Sequence, residues 1–267
     1  MSNIAKKHFG QHFLSNTGVI EKICNLCERI STTASPLLEI GPGQGALTAA
    51  LLATKRKVIA YEIDLDMVAH LQKRFKKAIE EGQLKIIQGD FLDSNPESLR
   101  THFNRNDVTA VGNLPYNVGS PITFKLLEEL DFISAACLML QKEVVQKFIA
   151  GPEDKKHYGP PSIKMKWLTH YKDHFWVSPG SFTPPPKVHS GVFAFNKKVD
   201  STVFSSPITK DPFFKQASHL LHKAFSQRRK KLRNTLGDSI PEEFLGRRPE
   251  ELSPDDYLCI AKSIKAS

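Results

Sequence analysis

From Pro36 to Ala150 the sequence keeps changing period. "PLLEIG", "KVIAYEID", "LKIIQGD", "DVTAVGN" and "AACLMLQ" are short apolar runs of strand length. Between and after them, "GALTAALLAT", the charged stretch from Leu65 to Glu81, "SPITFKLLEEL" and "KEVVQKFIA" read as helices. In "SPITFKLLEEL", Ser120 suits the N-cap and Pro121 the first helical position. Strands separated by helices cannot pair as hairpins. The rhythm predicts an α/β fold, an open and mostly parallel sheet with helices on both faces.

The rhythm stops after Gly151. "GPEDKKHYGPPS" reads as a loop, and "HFWVSP" and "GVFAFN" as two more strands, with "GSFTPPPKVHS" between them. That spacing leaves no room for a crossover helix, so the two strands are expected as antiparallel neighbours at one edge of the sheet. The three prolines require extended backbone. Residues 197–212 are polar and irregular and read as a linker. The remainder reads as helices only. The expected division is an α/β domain over 1–204 and a small all-helical domain over 205–267.

The chain has 267 residues, 37 basic and 28 acidic, for a net charge of +9. That balance points to a polyanionic partner, most simply nucleic acid. No apolar run has membrane-spanning length, and the first residues lack a signal-peptide core. The pair Cys24 and Cys27 has no second pair beside it, so no metal site is expected. A cytoplasmic monomer with reduced thiols is the expectation.

Four strand ends carry the chemistry. "LLEIGPGQGALT" runs from a strand through Gly41, Gly43 and Gly45 into a helix. Glu62 ends the second strand, 21 residues after Gly41. Asp90 ends the third and Asn113 the fourth. Any one of these would by itself merely terminate a strand. Four in sheet order point to a ligand, because open α/β sheets bind at the carboxyl ends of their strands. Glu62 suits the two hydroxyls of a ribose, and Asp90 the exocyclic amine of an adenine. The loop is G-P-G-Q-G, without the G-x-G-x-x-G spacing or a Walker lysine, and Pro42 removes an N–H that a phosphate would use. A phosphate-free nucleoside fits better. S-adenosylmethionine, an adenosine with a sulfonium cation, suits a site rich in carboxylates.

"NLPY", Asn113 to Tyr116, then has a second role. The N6 amine of adenine is a poor nucleophile, since its lone pair is delocalised into the ring. Acceptors aimed at its two hydrogens favour the tetrahedral form that attacks a methyl group. The Asn113 side-chain oxygen and the Leu114 backbone carbonyl supply two. Pro115 fixes the backbone, and Tyr116 can stack on an extruded base.

Further along, "SHLLHKAFSQRRKKLRNTLG" reads as one amphipathic helix ending at a Gly237 cap, with five cations in the six residues from Arg228 to Arg233. Cations suit a helix C-terminus, but that number exceeds what a dipole requires. Arg228, Arg229 and Lys230 are the candidate phosphate contacts.

"NLPY" together with "EIGPGQGALT" resembles the ribosomal RNA adenine dimethyltransferase family. "FGQHFL", "LMLQKEVVQKFIAGP", "SFTPPPKVHSGV" and "AFSQRRKKLRNTL" extend the resemblance over nearly the whole chain. It implies a Rossmann-like class I S-adenosylmethionine-dependent methyltransferase sheet with a small C-terminal helical domain. The implied activity is dimethylation of two adjacent adenosines near the 3′ end of 16S RNA in the small ribosomal subunit, together with a role in subunit assembly. It places His12 and Leu14 against the cofactor, Gly41 at its amino-acid part, Glu62 at the ribose, Asp90 at the adenine amine, and Asn113 and Tyr116 at the target base. The chain departs from the family pattern at His12, where Asn is usual, at Pro160-Pro161 in "YGPPS", and at His189 in "PKVHS". Three other readings compete: methylation of large-subunit RNA, methylation of DNA adenine, and a non-catalytic assembly factor of the same fold. The "PPPKV" loop and the basic C-terminal part favour the first reading over the large-subunit one. Leu114 argues against the DNA enzymes, and intact Asn113 and Tyr116 argue against loss of catalysis.

Overall fold

The computed structural model describes residues 12–103, 105–198, 203–205 and 208–264. Contacts divide the chain into two compact units, Met1–Lys142 with Lys172–Lys197, and Glu143–Tyr171 with Lys198–Ser267. The boundary expected at 204/205 falls inside the second unit, which also takes in residues 143–171.

The first unit is built on a seven-stranded sheet. Its strands are β2 (Leu37–Ile40), β3 (Val58–Glu62), β4 (Leu84–Gln88), β5 (Val108–Asn113), β6 (Ile133–Gln141), β7 (Thr169–Val177) and β9 (Ser190–Lys197). Their spatial order is β4-β3-β2-β5-β6-β9-β7. From β4 to β6 all neighbours are parallel, and β9 runs antiparallel to β6. The strands read from "HFWVSP" and "GVFAFN" are β7 and β9, adjacent at the edge. A separate two-stranded piece pairs β1 (Phe13–Leu14) antiparallel with β8 (Phe182–Thr183).

The central strands are continuous apolar runs because both of their faces are covered. Ala135, Cys137 and Met139 alternate with Ala136, Leu138 and Leu140, and all six are buried. The first face packs with Ile20, Ile23 and Leu26 of α1 (Thr17–Ile30) and Leu47 and Leu51 of α2 (Ala46–Ala53). On the other face lies α6 (Gly119–Glu128), whose Gly119 leaves room for Leu140.

The topology fixes where a ligand goes. From β2 the chain builds outward through β3 to β4, then returns to place β5 on the other side of β2. This reversal opens a crevice at the carboxyl ends of β2 and β5. Gly112 sits at that point. A Cβ there would lie 2.5 Å from the Ile40 carbonyl oxygen and 3.1 Å from Leu114 Cδ2. The first obstacle is backbone and cannot rotate aside. Gly112→Ala should lower unfolding free energy by about 1–3 kcal/mol, the usual cost of overpacking. Urea unfolding monitored by circular dichroism checks this, and an unchanged midpoint refutes it.

Several helices differ from the sequence expectation. The stretch from Leu65 to Glu81 is two helices, α3 (Leu65–Arg74) and α4 (Lys76–Glu80), broken at Phe75. Phe75 leaves helical geometry at φ −112°, ψ 27°, and it is partly buried against the core. Helix α6 starts at Gly119 with Val118 at the N-cap, so Ser120 and Pro121 fall within its first turn, where a missing N–H costs nothing. A short helix α5 (Pro96–Arg100) follows β4.

The second unit is helical. Helix α7 (Lys142–Ile149), whose first residue still belongs to the first unit, is followed by α8 (Pro160–Leu168), and then by α9 (Pro212–Phe225), α10 (Leu232–Leu236), α11 (Glu242–Leu245) and α12 (Pro254–Ser263). Pro160 and Pro161, expected in a loop, open α8, where prolines are tolerated. The buried hydroxyls of Tyr158 and Tyr257 each donate to a backbone carbonyl, of Leu252 and Pro249, at 2.8 Å. The single helix expected over 218–237 is two helices. Ser226 turns its hydroxyl back onto the Lys223 carbonyl at 2.7 Å, and Lys231 is extended at φ −68°, ψ 150°. A hydroxyl competing for a helix carbonyl, and like charges that would stack at helical spacing, both favour the break. Gly237 does cap α10, at φ +84°.

Candidate active site

The crevice is lined from the first unit by His12, Gly41, Glu39, Glu62, Asp90 and the segment Asn113 to Val118, among others. Gly41 turns at φ +68°, a left-handed conformation that favours glycine, and its N–H donates to the Tyr61 carbonyl at 2.9 Å. The loop it opens leads into α2 and aims Gly43 at the end of β3. Glu62 is buried. Its two oxygens accept from the N–H groups of Gly43 and Asp64, each at 3.0 Å. These bonds fix the carboxylate and leave further lone pairs for a ligand. Burial pushes the Glu62 carboxyl up, and the Asp64 and Gly43 N–H groups oppose that shift. Asp90 follows β4 and accepts the Leu92 N–H through Oδ1 at 2.9 Å.

Asn113 ends β5. Its Nδ2 donates to the His12 carbonyl at 3.0 Å. That bond orients the amide and leaves Oδ1 as the acceptor. Leu114 is held by its N–H on the Met139 carbonyl at 3.0 Å, with its side chain buried. The Tyr116 hydroxyl bonds the Ser190 hydroxyl at 2.8 Å, and its ring lies 5.6 Å from the His12 ring at a 32° tilt. Burial raises the Tyr116 phenol, so it stays protonated through neutral pH. Sequence positions Gly41, Glu62, Asp90, Asn113, Leu114 and Tyr116 are thus brought to one crevice.

His12 and Leu14 join them through β1. Ser15 N–H donates to the Ser181 carbonyl at 2.9 Å, and the His12 ring nitrogen Nδ1 bonds the Pro184 carbonyl at 2.9 Å. The "FGQHFL" and "SFTPPPKVHS" motifs therefore meet at the crevice, in a pairing that periodicity did not reveal. Phe9 to Gln11 of the first motif lie outside the described residues.

Sequence reasoning passed over Glu39. It sits in β2, 1% exposed, with no hydrogen-bond partner for either oxygen among the described residues. Its carboxyl is pushed up to about 8, first by burial and then by the nearby Glu62 charge, against the influence of Thr48. The signal was present as one acid within an otherwise apolar strand, since an unpaired buried acid is rare. Glu39, Glu62 and Asp90 make three acidic side chains, and no lysine or arginine lines this crevice among the described residues. Such a donor set fits a cationic, adenosine-bearing group.

A family model for ribosomal RNA adenine dimethylases matches residues 2–252. This chain belongs to that family. As a member of the ribosomal RNA adenine dimethylase family it is a methyltransferase. The "Ribosomal RNA small subunit methyltransferase A" of Acidovorax ebreus (strain TPSY) is 35% identical over 268 residues, 98% of this chain and 99% of that protein. The protein of the same name from Methylibium petroleiphilum is 37% identical over 270 residues, 99% of this chain and 98% of that protein. Among solved structures, a dimethyladenosine transferase from Plasmodium falciparum superposes with a TM-score of 0.74 at 27% identity, covering 93% of this chain and 96% of that one. The family's α/β sheet with a helical C-terminal part is the architecture seen here. No helix among the described residues is long and apolar enough to cross a membrane.

The basic C-terminal cluster divides by environment. Arg228 is half-buried, donates to the Lys156 carbonyl at 3.2 Å and lies 3.9 Å from a Glu250 oxygen. Arg229 and Lys230 are exposed.

Proposed function

We propose that this chain carries methyl groups from S-adenosylmethionine to the N6 atoms of two adjacent adenosines in 16S RNA of the small ribosomal subunit, giving N6,N6-dimethyladenosine. The carrying observation is Asn113. Its amide is oriented by the His12 carbonyl at 3.0 Å, beside a crevice with three acidic side chains. S-adenosylmethionine, when bound, supplies an electrophilic methyl group. Glu62 holds the ribose hydroxyls and Asp90 the adenine amine. Gly41, His12 and Leu14 line the remainder of the cofactor, and Glu39 faces its cationic part. Tyr116 stacks on the extruded target base. Asn113 Oδ1 and the Leu114 carbonyl accept the two N6 hydrogens, which concentrates the lone pair on nitrogen as it attacks. The displaced N6 proton leaves to water. The small-subunit name carried by relatives over almost their whole length supports this choice of RNA. A cytoplasmic monomer and a role in subunit assembly belong to the same reading.

The test supplies methyl-labelled S-adenosylmethionine to small subunits from cells lacking the modification, with large subunits and duplex DNA in parallel. Label in small-subunit RNA alone is expected. Label in large-subunit RNA or DNA instead would overturn the substrate. Cofactor binding without transfer to any of them would favour a non-catalytic assembly factor.

The helical unit is proposed to hold RNA phosphates through Arg229 and Lys230, with Arg228 serving partly to pin the residue 156 turn. Arg229→Ala with Lys230→Ala should reduce the salt slope of RNA binding by about 1 per lost phosphate contact, leaving cofactor affinity unchanged. A slope equal to wild type defeats that assignment.

A further inference from the structure

The first unit carries an aromatic and cationic surface that the methyl-transfer machinery does not use. Trp176, near the end of edge strand β7, is 39% exposed. The Lys142 ammonium lies 5.1 Å from its ring centroid. The His174 ring meets it edge-on at 4.9 Å. Phe175 and Val177, the alternating neighbours, pack into the core cluster, which turns Trp176 away from that core. Nothing in the fold requires an indole here, because a polar residue would serve an exposed position of an edge strand.

The surface is continuous with the target-base side of the crevice. Tyr116 bonds Ser190, Ser190 pairs with Gln141, and Lys142 follows Gln141 and donates its N–H to the His189 carbonyl at 2.9 Å. Val188 and His189 beside it are exposed, Val188 at 44%. An aromatic plane with a movable ammonium beside it is the donor set that single-stranded nucleic acid takes. The base stacks on the ring and the cation moves to the phosphate.

We infer that Trp176 and Lys142 receive a single-stranded nucleotide flanking the target adenosine, the base stacking on the indole and Lys142 pairing with its phosphate. This rests on the RNA reading above and deepens it. Lys142 covers the ring while RNA is absent and leaves it for a phosphate.

The experiment uses the full chain with Trp176→Ala, Trp176→Phe and Lys142→Ala. With small subunits as substrate, Trp176→Ala should raise the KM for subunits by about 10-fold, the effect of one lost stacking contact. Trp176→Phe should recover most of that loss, with kcat and cofactor affinity near wild type. Lys142→Ala should flatten the salt dependence of KM. Binding is measured independently with a short single-stranded oligoribonucleotide containing adjacent adenosines, which should quench tryptophan fluorescence in wild type and much less in Trp176→Phe. If wild type methylates small subunits but Trp176→Ala keeps its KM, the inference fails. If wild type transfers nothing, the parent reading fails and the oligoribonucleotide decides: weaker binding by Trp176→Ala upholds the surface, equal binding overturns it. Loss of subunit binding with oligoribonucleotide binding intact would assign the surface to a protein of the subunit and overturn the RNA contact.

Discussion

Asn113→Ala is expected to slow methyl transfer to small subunits by about 10²–10³-fold, the loss that follows removal of one oriented group at a reacting centre. The substitution removes the Oδ1 acceptor and also the Nδ2 donation to the His12 carbonyl. The first loss acts on chemistry and the second on the placement of the β1 segment. Cofactor affinity should therefore fall less than the rate does. Asn113→Asp separates the two. It keeps an oxygen acceptor but cannot donate to the His12 carbonyl, so its cofactor affinity should resemble that of Asn113→Ala. Single-turnover rates with equilibrium cofactor titrations make the distinction. A rate within threefold of wild type, on the order of 0.7 kcal/mol, would remove Asn113 from the reacting centre.

Glu39→Gln should change how stability depends on pH more than any other single substitution in the crevice. Folded Glu39 keeps its proton up to about 8, whereas the ordinary value is 4.5. Between these values the folded chain holds a proton that the unfolded chain has released. Raising the pH across that window therefore favours unfolding, by up to about 5 kcal/mol at the top of it. Glu39→Gln abolishes the titration, so its advantage over wild type should grow steadily from pH 5 to pH 8. A cation bound in the crevice favours the charged carboxylate. Binding of S-adenosylmethionine near pH 7 should then release a proton in wild type and none through this group in Glu39→Gln. Urea unfolding across pH and calorimetric titration in buffers of different ionisation enthalpy check the two halves. Parallel stability curves for both proteins would contradict the burial argument.

The sheet was legible because the central strands are almost wholly apolar and the crossovers after β2, β3 and β5 have helical spacing, so period separates them. The crossover from β4 to β5 holds only the five-residue α5, too short for period to show. The strand-end residues were legible for the same reason: once the strands are placed, Gly41, Glu62, Asp90 and Asn113 fall at their carboxyl ends. What periodicity could not show was long-range. Strand β1 has two residues, and its partner Phe182–Thr183 lies far along the chain. The position of His12 came only from resemblance to the family. Glu39 was hidden inside a strand pattern, where its charge was averaged into an apolar run. The basic stretch misled in a different way. Leu221, Phe225, Leu232 and Leu236 share a helical spacing, yet the chain turns at Ser226 to Lys231, where local hydroxyl bonding and stacked charge outweigh that pattern.

The most direct test of the account is nucleoside mass spectrometry of 16S RNA after incubating undermethylated small subunits with S-adenosylmethionine and either wild type or Asn113→Ala. The account predicts N6,N6-dimethyladenosine from wild type and almost none from Asn113→Ala, at equal protein and subunit concentrations. Methylation at another atom of the base, or equal dimethyladenosine from both proteins, would contradict it.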